Sequence, residues 1–445
     1  MSDKSSNFFK SIIEYVKGNR NFVISMAILA FMYFMFGFFS WLSSIYVPYF
    51  RIVCELNEFW AYFSSFAFAI AYLVVSIPAG FLLKKTGFKR GIMIGFFILA
   101  TGAIIFVPAA MTRLYWVFLI GLFTMGTGMS ILQTAANPYV TIVGPIDRTM
   151  QRMSICGTFN KFAGIVSPLI FGAIILKASD RELFSALPSM TEAARVVALD
   201  ELAQRMMFPY AFLGVLLVGV GLFIRYSPLP EINTEAESKE VADSHGGKKY
   251  IVQFPYLVLG AVAMLMHIGT QAVAIDSIIR YGQDMGLNLM DARSFAPFVL
   301  TATMVGYLFG MTCIPRYVSQ LNALKFSTVL GLFFSFCVLF MPGELMYKGS
   351  QISVSIWFLV LIGLPNALIF PGIWPLAIRN LGRFTKIGAS LLVMGICGNG
   401  VFPLIYGRLV DLFGMRPSYW LLIPCFLYLI FYAFYGHKIT SWTRK

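Results

Sequence analysis

Residues 227–249 read Ser-Pro-Leu-Pro-Glu-Ile-Asn-Thr-Glu-Ala-Glu-Ser-Lys-Glu-Val-Ala-Asp-Ser-His-Gly-Gly-Lys-Lys, a polar segment near the middle of an otherwise apolar chain. Glu, Ser, Lys and Asp are frequent in it, and the pair Gly246 and Gly247 makes its backbone flexible. On either side, the sequence consists mainly of apolar runs that are long enough to cross a bilayer, which takes about 20 residues. The segment is therefore predicted to be a linker between two membrane-embedded bundles.

The composition of the whole chain agrees with this division. Of its 445 residues, 58% are hydrophobic and 12% are charged, and the mean hydropathy is +0.77. A soluble domain carries about 25% charged residues, because polar groups have to cover much of its surface. The composition thus excludes a soluble enzyme, a disulfide-stapled secreted domain and a disordered tail. Continuous apolar runs, rather than alternating segments of about ten residues, favour helices over a membrane β-barrel.

Twelve apolar runs qualify as membrane spans, six before the linker and six after it. Their approximate bounds are 22–50, 58–83, 90–110, 114–143, 151–176, 207–225, 254–281, 295–314, 324–342, 352–379, 386–409 and 418–436. The predicted fold is an all-α integral membrane protein with two pseudo-symmetric six-helix bundles, at 22–226 and 250–437, and short tails at 1–21 and 438–445. Within the long loop 177–206, the Ala-, Glu- and Leu-rich stretch 191–204 predicts an amphipathic surface helix.

The distribution of Lys and Arg sets the predicted orientation. With the N-terminus inside, the inner tails and loops hold 22 of the 34 positive residues, and the outer loops and helix ends hold 11. Since Lys and Arg collect in cytoplasmic loops, both termini are predicted to be cytoplasmic and the loop 177–206 to be outside. The same bias accounts for the net charge of +14 without a nucleic-acid partner.

Two six-helix bundles favour a secondary transporter, in which the bundles rock about a central site. A membrane-embedded enzyme is the rival interpretation, and it should show clustered acids, bases or metal ligands. The chain has three His, one of them within a span, and its six Cys lack metal-ligand spacing. It also lacks a P-loop. The sequence therefore predicts no catalytic residues, no cofactor and no metal.

Three blocks of sequence carry a resemblance to a known family. They are Gly80-Phe-Leu-Leu-Lys-Lys-Thr-Gly-Phe-Lys-Arg90, Leu132-Gln-Thr-Ala-Ala-Asn-Pro-Tyr-Val-Thr-Ile-Val-Gly-Pro145 and Ile369-Phe-Pro-Gly-Ile-Trp-Pro-Leu-Ala-Ile-Arg-Asn-Leu-Gly382. The first resembles the major facilitator superfamily, and the other two resemble its fucose–galactose–glucose:proton symporter family. The resemblance covers nearly the whole chain. It implies import of a monosaccharide such as fucose, glucose or galactose across a bacterial inner membrane by alternating access.

Two departures from that family concern ion coupling. The resemblance implies carboxylates in helices 1 and 4 that bind substrate and carry the coupling proton, but the matching positions here are Ser44 and Gln133. Neither Ser nor Gln exchanges a proton near neutral pH. These coupling positions are therefore lost, and if transport is coupled to a proton, other groups have to carry it; sodium is the other possible coupling ion.

Polar residues inside the apolar runs form the candidate site. Amides suit a neutral polyol because each sugar hydroxyl both donates and accepts, and aromatic faces suit sugar rings. The predicted substrate-binding residues are Gln133, Asn137, Asn160, Lys161, Gln271, Asn366, Asn399 and Trp374. The alternative role for the amides is hydrogen bonding between helices, which is common in membrane bundles.

Three ionisable residues within spans are candidates for ion coupling: Asp276, His267 and Lys161. Asp276 is favoured because it is the only carboxylate deep within a span, and its alternative role is an ion pair with Arg280 one helical turn on. For His267 the alternative is a hydrogen-bonded core residue, and for Lys161 it is a snorkelling or salt-bridged cation.

The substrate class stays open at this point. Losing two carboxylates and gaining Lys161 changes the expected cavity charge by about +3 relative to the family. That change would suit an acidic sugar such as a uronate, or a facilitator without ion coupling. Outside transport, a membrane receptor that binds sugar without moving it is the alternative. The expected partners are a small sugar and the lipid bilayer, and the protein is expected to be a monomer.

Overall fold

The computed structural model describes residues 20–42, 49–56, 58–175, 183, 186–229, 250–287, 289–381 and 384–442. The family coupling position Ser44 and the predicted linker from residue 230 onward lie outside the described residues.

The described part of the first half of the chain is helical. Its helices are α1 (Arg20–Ser40), α2 (Glu58–Thr112), α3 (Tyr115–Ile142), α4 (Thr149–Ile175), α5 (Glu192–Gln204) and α6 (Met207–Tyr226). α2 contains the predicted spans 2 and 3, which join at Gly87 with a φ of 77°. Glycine adopts this positive φ without a steric penalty, so the chain changes direction there without a separate loop. α1 ends at Ser40, well before the predicted end of span 1 at residue 50.

The second half adds ten α-helices and one hairpin among the described residues. The helices are α7 (Pro255–Asp284), α8 (Leu289–Ala292), α9 (Phe295–Cys313), α10 (Gln320–Phe340), α11 (Ser355–Leu361), α12 (Gly363–Ile378), α13 (Thr385–Met394), α14 (Gly398–Phe413), α15 (Met415–Ser418) and α16 (Leu422–Phe434). The antiparallel strands β1 (Glu344–Tyr347) and β2 (Ser350–Ser353) join α10 to α11. The sequence did not predict this hairpin, because two four-residue strands are too short to show a clear alternation.

The helices account for twelve membrane spans. Within the described ranges, ten segments are long and apolar enough to cross a membrane, and one of them, Phe63–Thr112, has 50 residues and holds two spans. α4 is the remaining span, with 27 residues that include the polar Arg152, Asn160 and Lys161. α5 confirms the surface helix predicted at 191–204, and its Leu199 and Leu202 are buried.

The two bundles meet along two lines of contact, α4 against α9 and α2 against α13. At one end of the molecule, hydrogen bonds cross between the bundles. The backbone N–H of Met150 donates to Oε1 of Gln320 at 2.8 Å, and Nε2 of Gln151 donates to the carbonyl of Met311 at 2.8 Å. Along the second line of contact, Gly80 of α2 packs directly against Ser390 of α13. We call these contacts the inner seam, since they lie at the end where the Lys and Arg count places the cytoplasm.

Candidate functional site

A cavity of about 110 Å³ lies between the bundles, near the middle of the spans. It has room for several water molecules. Its polar lining comes from both bundles and consists of Tyr33, Ser40, Gln133, Asn137, Asn160, Lys161, His267, Gln271, Tyr307 and Asn399. Phe36, Trp41 and Phe370 add aromatic faces. The cavity is thus suited to a small polar molecule that reaches both bundles at once.

The structure brings six of the eight predicted substrate-binding residues to this cavity: Gln133, Asn137, Asn160, Lys161, Gln271 and Asn399. Asn366 and Trp374 lie behind the lining. Asn366 is buried and accepts a hydrogen bond from Oγ1 of Thr270 at 3.3 Å. Trp374 is fully buried and stacks on Phe370, with 5.7 Å between the ring centroids. Either of these two residues could only support the lining from behind. Substrate binding by the other six residues stays a prediction.

The three ion-coupling candidates occupy different positions. Lys161 and His267 line the cavity, whereas Asp276 is exposed and does not. α7 runs without interruption from Pro255 to Asp284, so no break near Gly269 turns Asp276 toward Gln271. Since residues five apart on a helix point in different directions, the two side chains diverge. The coupling role of Asp276 therefore stays a prediction that the cavity geometry does not support.

Lys161 is the cation of the cavity, and its side chain is 3% exposed. Its Nζ donates to Oε1 of Gln271 at 3.1 Å and lies 4.3 Å from the ring centroid of Trp41. Trp41 packs this closely because position 164 is Gly, where a Cβ would lie 2.5 Å from the indole ring. Both contacts are with neutral groups, and the described lining contains no Asp or Glu.

Several amides around the cavity already use their oxygen within the protein. Oδ1 of Asn137 accepts from the hydroxyl of Tyr33, while Nδ2 of Asn137 has no hydrogen-bond partner among the described residues. Nδ2 of Asn366 and Nδ1 of His267 also lack partners in the described part of the chain. Gln133 uses its Nε2 to donate to the hydroxyl of Tyr72 at 3.0 Å. Buried polar atoms without hydrogen-bond partners cost about 1–3 kcal/mol each.

Sequence reasoning missed the aromatic part of the lining. Tyr33, Trp41 and Tyr307 border the cavity, but the chain contains 44 Phe, 21 Tyr and 7 Trp, and nothing in their spacing marks these three. Gly157 is a better signal in retrospect, since a Cβ there would lie 2.5 Å from the ring of Tyr307. Among the described residues, no group of three or more His, Cys, Asp or Glu could hold a metal ion.

Two six-helix membrane bundles around a polar cavity define a secondary transporter. The sequence profile of the Major Facilitator Superfamily matches residues 29–396, and the chain belongs to this superfamily. The predicted fold class and the prediction of a transporter rather than an enzyme are thereby confirmed.

Individual relatives show which members of the superfamily this chain is similar to. The glucose/galactose transporter of Brucella abortus is 30% identical over 422 residues, covering 94% of this chain and 95% of that protein. The L-fucose-proton symporter of Escherichia coli K12 is 28% identical over 418 residues, covering 94% of this chain and 93% of that protein. The crystal structure of FucP, a Major Facilitator Superfamily transporter in the outward conformation, matches with a TM-score of 0.77 at 25% identity, covering 93% of this chain and 98% of that one. These relatives confirm the resemblance that the three sequence blocks carry.

Proposed function

We propose that this protein imports a monosaccharide by alternating access, driven by a coupled cation. The observation that carries the proposal is the cavity between the two bundles, which both bundles line with polar and aromatic residues. Its amides and hydroxyls match the mixed donors and acceptors of a sugar, and its aromatic rings match the apolar faces of a sugar ring. The names of the relatives, glucose/galactose transporter and L-fucose-proton symporter, support the substrate class and the coupling.

Counterflow in proteoliposomes tests this function. Vesicles with purified protein, loaded with unlabelled glucose, galactose or fucose, should take up the same labelled sugar faster than protein-free vesicles. Exchange requires binding on one side, rocking of the bundles and release on the other side. A receptor would bind labelled sugar without exchanging it, and that result would contradict the proposal.

Gln133→Ala should raise the dissociation constant of the exchanged sugar at least tenfold. Gln133 lines the cavity, and its loss removes one or two buried hydrogen bonds, which contribute about 1.4 kcal/mol or more to binding. Titration of purified protein with the sugar measures the effect. The control is Thr134→Val, since Thr134 is buried next to Gln133 and its hydroxyl donates to the carbonyl of Ser130 within the same helix. An unchanged dissociation constant in Gln133→Ala would restrict Gln133 to helix packing.

We also propose that both termini are cytoplasmic in a bacterial inner membrane, on the evidence of the Lys and Arg count. Val197→Cys, at an exposed position of α5, should then react with a membrane-impermeant maleimide in intact cells. Tyr317→Cys, at an exposed position between α9 and α10, should react only after permeabilisation. Both variants are made in a chain whose six native cysteines have been replaced. The opposite labelling pattern would reverse the orientation.

A further inference from the structure

The cavity holds a buried cation, Lys161, whose contacts with the described residues use one of its three N–H donors. An ammonium group has three N–H donors, and Nζ of Lys161 uses one of them on Gln271. The ring of Trp41 stabilises the charge but accepts no full hydrogen bond. Removing an ammonium group from water is costly unless an anion and further acceptors replace the water. The described lining offers no carboxylate for this purpose.

The neutral groups around Lys161 also favour an anionic ligand. The amide oxygen of Gln271 is taken by Lys161, and the amide oxygen of Asn137 is taken by Tyr33. Their amide nitrogens are left to donate, and that of Asn137 has no partner among the described residues. Next to Nζ of Lys161 the free groups are therefore donors, whereas Gln133 and Asn160 elsewhere in the lining use their amide nitrogens and keep their oxygens as acceptors. The functional group that complements the donors at Lys161 is one with acceptors only, and an ionised carboxylate is that group.

We propose that the transported sugar is a sugar acid, such as a hexuronate, and that Lys161 binds its carboxylate. This inference rests on the proposed transport function and narrows its substrate class. The carboxylate would receive N–H donors from Lys161 on α4 and from the amide of Gln271 on α7. These helices belong to different bundles. One anionic group would therefore bind to both bundles at once, close to the axis about which they rock. The side chain of Gln133, which also lines the cavity, is a neutral amide and brings no charge that would repel such a ligand.

Matched sugar pairs test the proposal. Glucuronate and glucose, and galacturonate and galactose, differ at C6, where a carboxylate replaces a hydroxymethyl group. Thermal unfolding of the purified protein should show that the sodium salts of the uronates raise the melting temperature, because a ligand that binds only the folded protein stabilises it. The dissociation constants of the two neutral sugars should be at least tenfold higher. Equal concentrations of NaCl serve as the ionic control.

Variants at position 161 identify the group that holds the carboxylate. Lys161→Gln should weaken uronate binding at least tenfold and leave the binding of neutral sugars within about threefold, whereas Lys161→Arg should retain most of the uronate affinity. Uronate binding that is equal in wild type and Lys161→Gln would overturn the assignment. The wild-type comparison of the sugar pairs stands by itself if Lys161→Gln does not fold.

Counterflow separates the failure of this inference from the failure of the proposed function. If glucose or galactose binds and exchanges while both uronates do neither, the sugar-acid inference is wrong and the transport function stands. If uronates bind and exchange and neutral sugars do so only weakly, both are supported. If sugars of neither class bind or exchange, the transport function fails, and the inference fails with it.

Discussion

The double variant Gly80→Cys, Ser390→Cys should lose counterflow completely on oxidation and regain it on reduction. Gly80 lies on α2 and Ser390 on α13, so the two positions belong to different bundles. A Cβ built at Gly80 lies 3.3 Å from Cβ of Ser390, close to the 3.5–4.5 Å that disulfides span. A disulfide there would fasten the inner seam shut. Since alternating access requires this seam to open in every cycle, exchange should stop.

The experiment starts from a chain without the six native cysteines, all of which are free. Oxidation should leave the exchange rate of each single variant, Gly80→Cys or Ser390→Cys, the same as before the treatment. A gel-mobility shift that reverses with reductant shows that the cross-link has formed. Full exchange by cross-linked protein would mean that the inner seam stays closed during transport, and the rocking mechanism proposed here would be wrong.

Arg152→Ala should destabilise the protein by about 3 kcal/mol or more. Arg152 is 3% exposed, and its guanidinium donates to the carbonyls of Val140, Thr141 and Pro145, each at 2.8 Å. These carbonyls lie at and just beyond the last turn of α3, where backbone acceptors have no partner within the helix. Without Arg152 the carbonyls of Val140 and Thr141 would be buried and would lose this donor, whereas the carbonyl of Pro145 would still accept from the backbone N–H of Arg148 at 3.1 Å.

The apparent melting temperature in detergent, measured at a fixed scan rate, reports this loss. For a bundle of roughly 200 residues, 1 kcal/mol corresponds to about 2–4 °C, so Arg152→Ala should melt about 6 °C or more below wild type. Arg152→Lys should fall between them, because Lys keeps the charge but lacks the planar fork of donors. Arg148→Ala, at an exposed position in the preceding turn, should stay within about 1 °C of wild type. If Arg152→Ala has the same melting temperature as wild type, water molecules donate hydrogen bonds to these carbonyls in its place, and Arg152 is not needed to cap the end of α3.

The sequence by itself determined the two-bundle architecture and most of the polar cavity lining. Whether a segment crosses a membrane depends on its own length and apolar content, so local composition is sufficient to predict twelve spans and the polar segment between them. The same physics marked the six lining residues that were predicted. A polar side chain within a span is costly in lipid, so Gln133, Lys161 and Gln271 were expected to face the protein interior, and all three line the cavity.

Only the tertiary structure decided which partners these residues meet. The contact of Lys161 with Gln271 joins α4 to α7, and no sequence period connects residues so far apart. The aromatic residues Tyr33 and Tyr307 resemble dozens of others until the rotation of their helices is fixed. Asp276 has the acidic side chain that an ion-coupling residue needs, but an uninterrupted α7 directs it away from the cavity. The physical reason is common to these cases: the burial of a side chain along a span is a local property, whereas its neighbours depend on how separate helices rotate and pack.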